Sequence, residues 1–213
     1  NFTSKWMSAA VGKLQFFLPP EKRIVMGYPR CDHLIEQERL PYSIDHDSLP
    51  QNFHAKSGKK IVLFAPTWRQ SNDFSWNSLE YLDGFEFDRL NAFLESQNAV
   101  MFVSLHPRSA IPINFEWPSC IRLIEQGILF DINVFLPYVD VLITDYSSIA
   151  TDFLLTGKPV IYWWPDYQFY LESIGLLEPI RTTNPGISVD NFAELLIALE
   201  KSFRKQSGHS SPR

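Results

Sequence analysis

The stretch VDVLITDYSSIATDFLLTGKPVIYW, residues 139–163, decides the fold. Residues 139–144, with the apolar Val141-Leu142-Ile143 at their centre, read as a strand. Asp145-Tyr146-Ser147-Ser148 follows as a polar turn, with two hydroxyls where a helix begins. That helix spans 148–155 and is closed by Gly157, a residue that takes the left-handed backbone which ends helices. A second apolar run, 159–163, comes next. Strand, helix and strand at this spacing make a parallel crossover unit.

The alternation continues outward. Residues 61–65, IVLFA, read as a buried strand, and 85–97 carries Phe87, Leu90, Phe93 and Leu94 at helical spacing. Strands are expected at 100–105 and 121–124, a short helix at 131–138, and an amphipathic helix at 191–203. Nearer the start, 4–17 reads as a helix, 23–26 as a short strand, 27–30 as a turn, and Asp32 as a helix start. The expected class is α/β, a Rossmann-like parallel sheet with helices on both faces. Three segments are expected: 1–26 closing a preceding domain, 27–204 as one nucleotide-binding domain, and 205–213 as a polar tail. The chain opens in mid-pattern at Asn1 without an initiator Met, so it reads as a piece of a longer protein.

Composition narrows the function. A net charge of −5 with no basic run argues against a nucleic-acid partner. Cys31 and Cys120 share no metal-ligand spacing and fit a reduced, cytoplasmic setting. No run of residues reaches the length needed to span a bilayer. There is no GxGxxG, P-loop, HExxH or nucleophile elbow, so hydride transfer, ATP hydrolysis and zinc hydrolysis lack their residues.

On a sheet of this kind ligands bind at the carboxyl ends of the strands. Four strand ends carry polar groups: Pro66-Thr67-Trp68-Arg69, His106-Pro107-Arg108, Asp145-Tyr146-Ser147-Ser148 and Pro165-Asp166-Tyr167. The serine turn has the geometry for a diphosphate, because helix N-termini present unpaired N–H groups and a positive dipole end. Asp152, one turn on, is a candidate acceptor for ribose hydroxyls. The plainer alternative makes Ser147 or Ser148 an N-cap and Asp152 a dipole partner. His106 is a candidate donor to a phosphate oxygen or departing group. Arg69 is a candidate diphosphate clamp; Arg108 stands level between that role and a surface ion pair. The other four histidines, His33, His46, His54 and His209, receive no role.

Taken in order, Gly27-Tyr28-Pro29-Arg30-Cys31-Asp32, Ala65-Pro66-Thr67-Trp68-Arg69, His106-Pro107 and Leu142-Ile143-Thr144-Asp145-Tyr146-Ser147-Ser148 resemble the motifs of the CDP-glycerol:poly(glycerophosphate) glycerophosphotransferases. Asp152-Phe153, Lys158-Pro159-Val160-Ile161, Asp166 with Tyr170, and Pro185-Gly186 extend the likeness from Arg23 to about Phe203. The resemblance implies the C-terminal, donor-binding half of a two-domain GT-B fold. It implies a CDP-alditol donor, a lipid-linked polymer acceptor, an N-terminal domain outside this stretch, and contact with the inner face of the cell membrane. His106 is then the catalytic residue, and Arg30, Thr67, Arg69, Thr144, Asp145, Ser147, Ser148 and Asp152 bind substrate. No cofactor or metal is implied. The family's second essential histidine, its proposed base, has no match here. Cys31, where many relatives have Asn, and the indoles Trp163-Trp164 leave the polyol open between glycerol and ribitol. Two other readings stand beside this one: a GT-B glycosyltransferase or epimerase using a UDP-sugar, and a non-catalytic nucleotide-binding module.

Overall fold

A computed structural model describes residues 5, 8–9, 12, 16–35, 58–67, 86–106, 116–124, 132–176 and 180–207. The chain divides into two compact units, Asn1–Pro41 and Tyr42–Arg213. In the first, 3-10 turns at Pro20–Lys22 and Pro29–Cys31 each begin on a proline, whose fixed φ suits a first helical position. The second turn runs into a single helical turn, Asp32–Ile35. Residues 23–26 do not form the expected strand: only Val25 makes an isolated bridge. Ile24, Val25 and Met26 are 59%, 44% and 44% exposed, so this apolar run buries too little surface to behave as a strand. The expected helix at 4–17 lies mostly outside the described residues.

The second unit is built on six parallel strands: β1 (Lys60–Phe64), β2 (Ala99–Val103), β3 (Ile121–Leu123), β4 (Val141–Thr144), β5 (Val160–Trp163) and β6 (Ile187–Val189). Their order across the sheet is β3-β2-β1-β4-β5-β6. Val62 pairs with Met101 on one side and Val141 on the other, and Ile143 with Ile161. The helices of this unit are α1 (Phe87–Ser96), α2 (Ile149–Phe153), α3 (Tyr167–Ser173), α4 (Ile180–Thr183) and α5 (Phe192–Ser207).

Both sheet faces are covered, which is why the strands read as continuous apolar runs. On one face Val62, Phe64, Met101, Ile143 and Trp163 form a core with Leu90 and Leu94 of α1 and Leu195, Leu199 and Phe203 of α5. On the other, Phe102 meets Phe135 edge-on at 5.4 Å, and α2 packs on β4. Segment 132–138 is two 3-10 turns, Ile132–Val134 and Leu136–Tyr138, rather than one helix; Pro137 supplies no N–H to continue it.

Polar side chains tie the connections down. Lys158 Nζ donates to the carbonyls of Pro137 and Val139 at 2.7 and 2.8 Å. Burial pulls its ammonium below the usual lysine range, and Asp140 opposes that pull. Gly157 has φ +70° and ends the helical segment as expected. Asn191 Oδ1 accepts the Glu194 N–H at 3.0 Å while Glu194 reaches back to the Asp190 N–H at 3.0 Å, a variant of the capping box that starts α5.

Gly186 sits where a Cβ would lie 2.5 Å from the Val160 carbonyl oxygen and 2.7 Å from the Tyr162 ring. Gly186→Ala therefore forces β5 and the start of β6 apart. It is expected to destabilise the protein by about 1–3 kcal/mol, read from urea denaturation.

Candidate functional site at the carboxyl ends of the strands

Strand order reverses between β1 and β4, since the chain builds outward from β1 through β2 to β3 and then returns to β4. A crevice forms at such a switch point, beyond the carboxyl ends of the two strands. Here the two ends are laced together. Thr144 Oγ1 donates to the Ala65 carbonyl at 2.6 Å. The Asp145 carboxylate accepts the Thr67 N–H at 2.8 Å and the Thr67 hydroxyl at 2.7 Å. Thr144 and Asp145 are both fully buried. A charge-assisted bond between segments 78 residues apart fixes the relative height of the two turns.

Beyond Asp145 the chain rises to the surface. Ser147 is half-buried and Ser148 exposed. Ser148 occupies the N-cap position of α2, yet its side chain makes no capping bond. Ser147 Oγ lies 3.5 Å from the Ile149 N–H, too long to count for much. The plain capping explanation of the Ser148 hydroxyl thus lacks its hydrogen bond. Asp152 is 6% exposed, buried within α2 rather than standing at the surface beside Ser148.

Tyr146, between Asp145 and the serines, anchors an aromatic block. Its ring stacks on Tyr170 with centroids 3.6 Å apart and meets Trp164 at 5.1 Å. Its hydroxyl donates to Asp166 Oδ1 at 3.1 Å. Trp164 in turn stacks on Tyr162 at 5.4 Å, and Arg181 lies over Tyr167 at 5.0 Å while pairing with Asp190. Burial pushes the Tyr162 phenol up, so it stays neutral. The aromatic excess of the sequence is concentrated partly here, where it clamps α3 to the serine turn. Sequence reasoning missed α3, α4 and β6; the Asp166…Tyr170 spacing was the signal for this contact.

The remaining candidates fall into three groups. His106 is exposed, three residues past the end of β2, which neighbours β1. All strands run parallel, so it stands at the same sheet edge as Thr67 and the serine turn. Arg30 belongs to the Asn1–Pro41 unit, where its guanidinium lies 4.3 Å from the Tyr28 ring centroid. Arg69 and Arg108 lie outside the described residues. Among the described residues no helix is long and apolar enough to cross a membrane.

Residues 4–211 match the model of the CDP-glycerol:poly(glycerophosphate) glycerophosphotransferase family. The chain belongs to that family. As a glycerophosphotransferase-family chain it is 29% identical to the teichoic acid ribitol-phosphate polymerase TarL of Staphylococcus aureus, over 91% of this chain and 36% of the relative. It is 31% identical to the teichoic acid glycerol-phosphate primase of Bacillus subtilis, over 92% of this chain and 47% of the relative. The chain thus spans less than half the length of these two relatives. Its fold is that of half of the wall teichoic acid polymerase TagF, with a TM-score of 0.71 at 22% identity, covering 97% of this chain and 50% of that one. For the family member described here, the parallel sheet with helices on both faces agrees with the expected fold class.

Proposed function

We propose that this chain is the donor-binding half of a transferase that moves a polyol-phosphate from a CDP-alditol to a growing teichoic-acid-like polymer. The observation that carries this reading is the Ser147-Ser148 turn, with Ser148 exposed and making no cap, at the switch point of a glycerophosphotransferase-family sheet. A diphosphate placed there meets the first N–H groups of α2 and two hydroxyls.

In the proposed reaction an acceptor hydroxyl attacks the β-phosphorus of the donor. A new P–O bond forms, the bond from the β-phosphorus to the bridging oxygen breaks, and CMP leaves with the electron pair. The acceptor's proton passes to a base on the protein's other half. Negative charge gathers on the phosphoryl oxygens and on CMP; His106 and Arg69 stabilise it electrostatically, with the serine turn. Thr67, Thr144 and Asp145 act one step back, holding the two strand ends in register. Asp152, being buried, is assigned to supporting α2 rather than to the ribose. The protein works in the cytoplasm at the inner face of the membrane, on a lipid-linked acceptor.

Two measurements test the donor assignment. CDP-glycerol or CDP-ribitol should raise the melting temperature of the whole protein, and UDP-sugars should not; stabilisation by UDP-sugars alone would overturn it. Ser148→Ala should weaken CDP-alditol binding by about tenfold to a hundredfold, the value of one hydrogen bond to a charged group. Its melting temperature should not move, because the hydroxyl makes no cap. A fall in melting temperature with affinity unchanged would return Ser148 to a purely structural role.

A further inference from the structure

The sheet has a second concave region, on the edge opposite the serine turn. It is a cleft of ≈ 740 Å³ formed where chain enters β4, β5 and β6 and where α5 passes beneath. Among the described residues its charged lining is Lys158, Lys201 and Lys205 against Asp140. Three cations against one anion leave a local charge of +2, within a chain whose net charge is −5.

The charges on this lining are not equivalent. Asp140 is already engaged: its Oδ2 accepts the Ile61 N–H at 2.7 Å. Lys158 is held on two carbonyls. Lys201 and Lys205 are exposed, and neither has a salt-bridge partner among the described residues. The neighbouring Glu200 and Arg204 neutralise each other as an i,i+4 pair. Lys201 and Lys205 therefore present two uncompensated ammonium groups one helical turn apart, about 6 Å along α5.

The rest of the wall says what kind of anion fits. Leu154, Pro159 and Pro185 give it an apolar floor, and none of the described residues lining it is aromatic. A nucleobase would find no ring to stack on. A chain of phosphodiesters joined by short polyols would lay carbon over the prolines and set successive phosphates near the two lysines, since a three-carbon linker spaces phosphates by a distance of the same order as one helical turn. Roughly 13 Å of strand separates this edge from the carboxyl edge, so one polymer chain is long enough to reach from the transfer centre to the cleft.

We propose that the Lys158–Lys201–Lys205 cleft is a retention site for the anionic polyol-phosphate polymer, distinct from the donor site. This rests on the reading of the protein as a polyol-phosphate transferase. Its consequence is processivity: a product held at the far edge stays with the enzyme between additions.

The test uses the whole protein and two double variants, Lys201→Gln/Lys205→Gln and Lys201→Glu/Lys205→Glu. Lys158 is left intact because its carbonyl bonds are structural. A fluorescent poly(glycerol phosphate) oligomer is titrated at low and moderate salt, CDP-alditol affinity and the rate of a single addition are measured in parallel, and product length is read on a gel. The glutamate variant should bind the oligomer about tenfold or more weakly and make shorter polymer, the glutamine variant should fall between it and wild type, and donor affinity and single-addition rate should not change. Unchanged oligomer affinity and product length in both variants would overturn the proposal. So would loss of binding to vesicles containing anionic phospholipid with oligomer binding kept, which would make this face a membrane contact. Failure of wild type to bind any CDP-alditol would instead sink the donor reading, while the oligomer titration still decides the cleft.

Discussion

His106→Ala in the whole protein is expected to lower the rate of polyol-phosphate transfer by about 10²–10⁴-fold, with the melting temperature essentially unchanged. The two halves of that expectation come from different facts. His106 is exposed and lies beyond the last residue of β2, so removing its ring opens no core cavity. Its sheet edge is also that of the serine turn, the edge at which the proposed diphosphate sits. His106→Gln is the informative companion. It keeps a neutral donor but cannot become a cation, so partial rescue would assign hydrogen bonding, and no rescue would assign charge. Steady-state kinetics with varied CDP-alditol checks both. Loss of kcat with KM nearly constant is the expected split, because charge builds up mainly in the transition state. Wild-type turnover in His106→Ala would remove the residue from the site.

Asp145→Ala is expected to destabilise the protein by about 2–4 kcal/mol and to weaken CDP-alditol binding as a consequence. The carboxylate is fully buried and receives both the N–H and the hydroxyl of Thr67. Alanine leaves those donors without their acceptor and adds a small void, each a recognised source of large losses. Asp145→Asn retains one acceptor oxygen but turns an N–H₂ toward Thr67, so about 1–3 kcal/mol is expected. Urea denaturation of Asp145→Ala, Thr67→Ala and the double variant isolates the contact. The pair should couple by about 0.5–3 kcal/mol, as residues joined by one hydrogen-bond network do. Additive losses would mean that the Thr67 hydroxyl contributes nothing to holding the β1 and β4 ends together.

Asp145 also shows where local pattern stops being informative. The sequence places an acidic residue and two serines at a strand-to-helix turn, and all three read alike as ligand groups. The structure separates them: Asp145 turns inward to a residue 78 positions away, while Ser148 faces outward without capping. No periodicity within one element reveals a bond between two strand ends; it depends on β1 and β4 becoming neighbours, which is a property of the topology. Thr144, whose hydroxyl donates to the Ala65 carbonyl, is buried for the same reason. By contrast β1, β2, β4 and β5 were legible, because a strand covered on both faces must be apolar throughout, as Ile61–Phe64 is. The edge strand β6 was not. It has three residues, two of them exposed, and so lacks both the run and the alternation that mark a strand. Helix α3 was hidden for another reason. Its Tyr167 and Tyr170 serve the aromatic block around Tyr146 and Trp164, and a helix whose inward face packs rings on a turn does not show an aliphatic stripe.

The most direct test is a crystal structure of the protein soaked with CDP-glycerol or CDP-ribitol. The donor's diphosphate should lie within hydrogen-bond distance of the Ser147–Ser148 turn and the first N–H groups of α2, with His106 on the same side of the β-phosphorus. A diphosphate bound elsewhere on the sheet, with the serine turn left facing solvent, would contradict the account.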